Sequence, residues 1–159
     1  MLDYPHLLTD LCFIVVACLI AFFSQKGCAY RQSNLLLASQ FMLTLGFSTL
    51  VITLDMYDGL YFDGYMMVIY ILFYHLITQT GDRFLGKLSL IIGAYHFARW
   101  FGGLISINTD EIMGMEYAVI MNIFMILQLT LAFRGLVYGI YTRVRYYNRR
   151  DTSHVGGHR

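Results

Sequence analysis

Five runs of apolar residues divide this chain, and most of its charges lie in the short connectors between them. That pattern constrains the fold more than any single motif. A helix on the surface of a soluble protein shows one apolar stripe and one charged face. A bilayer core about 30 Å thick instead demands about 20 apolar residues in a row. Four runs satisfy that length, at about 7–23, 35–54, 88–107 and 115–141. The fifth, about 62–79, has a charge-free centre of only 15 residues, YMMVIYILFYHLITQ at 65–79. Such a length also fits a buried or re-entrant segment.

The basic residues decide between these options. If all five runs cross, then Lys26, Arg31, Arg83, Lys87, Arg143, Arg145, Arg149, Arg150 and Arg159 share one side, 9 of the 11 Lys and Arg. The other side holds Asp3, Asp10, Asp55, Asp58, Asp63, Asp110, Glu111 and Glu116 and no basic residue. Positive charge stays cytoplasmic during insertion. The expectation is an all-α, polytopic membrane protein: a bundle of five transmembrane helices, N-terminus out and C-terminus in. It forms a single helical membrane domain over 1–159, with a basic cytoplasmic tail at 142–159 whose end, TSHVGGHR, reads as frayed. Omitting the short third run would separate the basic loop at 80–87 from Lys26 and Arg31.

Composition agrees. The chain is 58% hydrophobic and 13% charged, against about 45–50% and about 25% in soluble domains. A net charge of +1 argues against a nucleic-acid binder that relies on bulk positive charge. The amino end, with Asp3 and Pro5 and no basic n-region, does not read as a secretory signal. Cys12, Cys18 and Cys28 form no CxxC pair and read as free packing thiols.

Lipid gives helices no hydrophobic reward for associating, so small and polar residues must hold them together. The fourth run carries two stripes of that kind. Ser89, Gly93, His96, Arg99 or Trp100, and Gly103 recur at three and four residues, and Ala94, Ala98, Gly102 and Ser106 form a neighbouring stripe. The second run repeats the idea with Gln40, Thr44 and Ser48, and the last carries Gly135 and Gly139 as a GxxxG. Gly93, Ala94, Ala98, Gly102, Gly135 and Gly139 are thus the expected helix-packing positions.

Charges inside the spans are the expected sites. Arg99 stands about 12 Å inside the outer end of its helix and needs an acid or a wet cavity. Asp10 and Asp55 are the acids offered, with Glu116 a third choice. The bland reading is an ion pair that locks helix register; the sharper one is an anion- or proton-handling site with Arg99, His96 and Asp10 converging. Glu116 and Arg134 lie 18 residues apart, about 27 Å along a helix. They read as interface anchors, one at each edge of the bilayer. Arg143, Arg145, Arg149 and Arg150 are the expected cytoplasmic contact with lipid or a partner.

No metal and no cofactor is expected. The sequence argues against haem between His75 and His96, because the two differ by roughly 8 Å in depth. His154 and His158 fall in a Gly-rich tail. Gly46-Phe47-Ser48-Thr49 approaches a rhomboid-type G-x-S-G but lacks its second glycine.

Connectors this short leave no room for a domain outside the bilayer. The leading expectation is a membrane subunit or scaffold without catalytic activity, in contact with the lipid bilayer and with copies of itself or other membrane subunits. The bacterial cytoplasmic membrane is the expected location, and an organelle membrane remains compatible. The alternative is a small oligomeric channel or pore, ion-conducting or holin-like, lined by Gln40, Thr44, Ser89, His96 and Arg99.

Overall fold

The computed structural model describes residues 4–24, 29–53, 59–105 and 115–155. They form five α-helices: α1 Tyr4–Phe23, α2 Ala29–Thr53, α3 Gly59–Gln79, α4 Arg83–Ile105 and α5 Met115–Val155. Three of them contain stretches long and apolar enough to cross a membrane: Tyr30–Val51 in α2, Tyr61–Gln79 in α3 and Tyr117–Arg145 in α5. The order of strength is therefore the reverse of the sequence expectation in one respect. The third run, whose charge-free centre is only 15 residues, qualifies as the stretch Tyr61–Gln79, which takes in Phe62 and Asp63. By length and composition α1 supplies only the shorter apolar stretch Leu8–Phe23, and α4 carries Arg83, Lys87 and Arg99.

The tail also differs. The helix of α5 continues through Arg143, Arg145, Arg149 and Arg150 to Val155, so the residues read as a frayed tail are helical up to that point. Asp55, Cys28 and His158 lie outside the described residues, as do the side chains of Glu116, Arg149, Arg150 and His154.

The tightest unit is the α3–α4 hairpin, and its turn explains why it is tight. Thr80 and Gly81 close α3 through Thr80 N–H to Ile77 O (3.1 Å) and Gly81 N–H to Thr78 O (3.0 Å). Gly81 has φ +95°, the left-handed region where glycine ends a helix without Cβ strain. Asp82 follows as the N-cap of α4, its Oδ1 accepting from Leu85 N–H at 3.2 Å. Two helices joined by three residues must run antiparallel and side by side. Gly93 then lets the backbones approach: a Cβ there would stand 3.3 Å from Tyr70 Cβ and 3.4 Å from Ile71 Cγ1. Gly86 is pressed against the Thr78 side chain in the same way.

Around this hairpin, α2 packs on α1, α3 and α5, and α5 closes onto α1 and α4. The larger apolar core joins Ala17 and Ile20 of α1 to Leu37, Phe41 and Leu45 of α2, Phe73 and Ile77 of α3, Leu85 of α4, and Met125 and Ala132 of α5. A smaller one gathers Phe62, Met66, Tyr70 and Ile92, covered by Phe47, Tyr117, Met121 and Phe124. Outside, apolar side chains are open on every helix: Leu19 and Phe22, Met42 and Leu50, Val68 and Leu72, Ile91 and Phe97, Ile123 and Val137. A surface of that kind is costly in water and ordinary against lipid.

The glycine pair of α5 serves contact within the chain. A Cβ on Gly135 would lie 2.7 Å from Tyr30 Cβ of α2, and Gly139 is buried as well. Gly135→Ala is expected to lower stability by about 1–3 kcal/mol through overpacking. Gly102→Ala, where an added Cβ meets nothing within 4 Å, should shift it by no more than about 0.5 kcal/mol. Melting midpoints in one detergent compare the two; equal midpoints would refute the close α2–α5 approach.

Candidate functional site

Polar side chains lie at three levels of the bundle. Moving along α4 from its start at Arg83, Ser89 stands about 9 Å up and His96 and Arg99 about 20–24 Å up. Each level ties helices that are distant in sequence.

The highest level centres on Asp63. Arg99 Nε donates to both carboxylate oxygens, at 3.0 Å to Oδ2 and 3.2 Å to Oδ1. His96 Nδ1 lies 2.8 Å from Oδ1. Asp63 is 4% exposed and His96 0%, so the carboxylate is withdrawn from solvent with both neighbours attached. Aromatic rings complete the shell. Tyr70 stacks on the imidazole (5.6 Å between centroids, 16° between planes), with Tyr117 and Phe62 edge-on to it. The Arg99 guanidinium lies over the Tyr117 ring at 4.5 Å, a cation–π contact strengthened by burial.

With Nδ1 directed at a carboxylate, the neutral imidazole carries its proton there and presents a lone pair at Nε2. That atom has no hydrogen-bond partner among the described residues. The cluster joins Asp63 of α3 to His96 and Arg99 of α4.

The acid that meets Arg99 is thus Asp63, which the sequence reading had assigned to a connector. Asp10 stands on α1, a helix that packs mainly on α2 and α5. His75 is exposed on α3 and joined to Gln79 Nε2 at 2.8 Å, far from the buried His96.

At the middle level, Gln40 of α2, Ser89 of α4 and Gln128 of α5 form a closed triangle. Ser89 Oγ donates to Gln40 Oε1 (3.0 Å), Gln128 Nε2 to Ser89 Oγ (3.1 Å) and Gln40 Nε2 to Gln128 Oε1 (3.4 Å). All three are 0% exposed. Thr44 is buried one turn above and donates to Gln40 O at 2.9 Å. Of the residues offered as a pore lining, Gln40, Thr44 and Ser89 are therefore turned into the bundle of a single chain and bonded to one another.

The lowest level is the basic end. Asp82, besides capping α4, accepts from Arg134 Nη2 of α5 at 2.9 Å and from Ser33 Oγ of α2 at 3.3 Å. Asn34 Nδ2 donates to Ser24 Oγ (2.9 Å) and to Ala132 O (3.2 Å), joining α2 to the end of α1 and to α5. Arg134 is accordingly more than an anchor: it neutralises a carboxylate that is 1% exposed, while its own side chain stays 39% exposed.

Of the expected packing positions, Gly93, Gly135 and Gly139 face inward. Ala94 and Ala98 are exposed and Gly102 is half-buried, while Ser106 of the same stripe lies outside the described residues. Arg143 and Arg145 are exposed on the extension of α5. Cys12 and Cys18 are free thiols. Among the described residues no group of three or more His, Cys, Asp or Glu is placed to hold a metal ion.

Sequence reasoning missed Asp63, Asp82 and Gln128. A signal for the first exists: Asp63 and Arg99 each stand 18 positions from Gly81. An antiparallel hairpin turning there brings them to one height.

The fold and its polar levels define an all-helical protein with three helices long and apolar enough to span a membrane. No protein-family model, curated protein or solved structure matches the chain.

Proposed function

We propose that this chain is a multi-pass membrane subunit or scaffold without catalytic activity, which packs into a homo-oligomer or a larger membrane complex. The reading places it in a bacterial cytoplasmic membrane, amino end out and carboxyl end in, with all five helices crossing. Support for α4 as a crossing comes from α3. The two run antiparallel in contact from Thr78–Gly86 at one end to Asp63–Arg99 at the other, so they share one thickness of bilayer. In the same way α1 lies along α2, with Phe13 edge-on to Phe41 (6.4 Å) and Ser24 bonded to Asn34.

One observation carries the role. The polar groups point inward and bind each other, while the small side chains of Ala94 and Ala98 are exposed on α4, and a Cβ on Gly102 would meet nothing within 4 Å. A strip without bulk on a lipid-facing helix lets a second helix approach closely. The observation also favours a scaffold over a pore, since the polar groups of α2 and α4 hold the chain together internally.

Purification from the native membrane in a mild detergent, followed by mass determination of the intact particle, tests it. The expected particle contains more than one chain. Ala98→Phe is expected to reduce it to the monomer while changing the melting midpoint by less than Gly135→Ala does. A monomeric wild-type chain that brings no other membrane subunit with it would refute the proposal. So would reconstituted vesicles that leak ions in proportion to protein density, because the pore reading would then replace it.

A further inference from the structure

The basic end contains an arginine held in an unusual frame. The Arg134 guanidinium carbon lies 5.2 Å from the centre of the Tyr30 ring and 5.5 Å from that of Phe84. Nη2 is tied to Asp82. Fixed on these sides, the side chain still keeps 39% of its surface open. Asp82 carries a single negative charge, which Arg134 matches, and it also accepts from Ser33 and the Leu85 amide. It is the one carboxylate at this end among the described side chains.

Further positive charge, without an ion-pair partner among the described residues, gathers around it. Arg31 follows Tyr30 and Arg83 precedes Phe84, so each adjoins a ring that frames Arg134; Lys87 lies one turn along α4. Arg83 and Lys87 are exposed and Arg31 is partly so. Both α2 and α4 also begin here, adding the positive ends of two helix dipoles. Beside this charge the surface is apolar: Phe84 is 66% exposed and Leu35, one turn beyond Arg31, is 49% exposed.

We propose that this rim binds the phosphate of an anionic phospholipid. Arg134 is the oriented donor, Arg31 and Arg83 supply flanking charge, and the acyl chain lies on Phe84 and Leu35. A guanidinium prearranged by two rings and a carboxylate loses little freedom on meeting a phosphate oxygen. The adjoining apolar surface selects a lipid over a free anion. The site rests on the placement of the chain in a bilayer and is independent of how copies assemble.

The test uses the full chain purified in a neutral detergent. Phosphatidylglycerol or phosphatidylcholine with the same acyl chains is added in equal amount, and inorganic phosphate in a third arm. The readouts are lipid retained per chain by native mass spectrometry and the melting midpoint. Phosphatidylglycerol is expected to be retained and to raise the midpoint by several degrees more than phosphatidylcholine. Because Arg134 substitutions strand Asp82, the diagnostic variant is the Arg31→Gln, Arg83→Gln pair, expected to weaken retention about tenfold or more. Arg143→Gln with Arg145→Gln, about 13–16 Å further along α5, should leave it within about twofold. Equal effects of the two lipids, of inorganic phosphate, or of the two variant pairs would each overturn the site. None of these results depends on whether the particle is a monomer, so the subunit reading is judged separately.

Discussion

Asp63→Ala is expected to be the most damaging single substitution in the chain. It removes the carboxylate that Arg99 and His96 share and leaves a guanidinium, 9% exposed, without its ion pair. Breaking a buried pair from one side costs about 3–5 kcal/mol, against a total stability of about 5–15 kcal/mol for a typical domain. Arg99→Leu should be milder, since Asp63 keeps His96 at 2.8 Å. Replacing both, Asp63→Leu with Arg99→Leu, should recover much of the loss, because an apolar pair of similar volume carries no desolvation cost. Thermal melts of the four proteins in one detergent give the ranking. If Asp63→Ala melts no lower than Arg99→Leu, the shared-carboxylate account fails.

Asp82→Ala is expected to rank second. One carboxylate there performs three tasks: it caps α4 through Leu85 N–H, accepts from Ser33 and neutralises Arg134. Losing an N-cap costs about 0.5–2 kcal/mol, and the ion-pair loss adds to it. Arg134 is 39% exposed and turns toward solvent or headgroups when released, so its share is discounted for screening. A drop of about 2–3 kcal/mol follows. Asp82→Asn should retain most of the cap and lose the pair, which separates the two contributions. Hydrogen exchange at the first turn of α4 reads the cap directly: faster exchange in Asp82→Ala than in Asp82→Asn is the expected sign. Equal rates in both would remove the cap from the explanation.

The helices were legible because hydropathy and length are local properties. All five apolar runs became helices, and the inward stripe of α4 through Ser89, Gly93 and His96 followed from spacing alone. What the sequence concealed was partnership. Asp63 sits between Phe62 and Gly64, two residues before a charge-free run, and reads as part of an acidic connector. Only after the hairpin turn is placed at Gly81 does its height match that of Arg99. Asp82 was hidden by the opposite effect, lying among basic residues in a loop whose overall sign drew attention away from it. Gln128 is one of several polar residues in the last apolar run, with Asn122 and Thr130; its role depends on Gln40 and Ser89 arriving from two other helices, which no local pattern records. The outward turn of Ala94 and Ala98 was also beyond reach, since spacing groups residues into stripes without saying which stripe a neighbour covers.

The length of α5 has a mechanical consequence. Its 41 residues give a rod of about 62 Å, about twice the thickness of the bilayer core. The bundle grips the rod from Tyr117, beneath the Arg99 guanidinium, to Arg134, beside Asp82. Beyond that clamp about 21 residues, or some 30 Å, continue without a hinge. A tilt of about 10° at the clamp moves the far tip by about 5 Å, so a small rotation of the bundle is carried outward to the end of the rod.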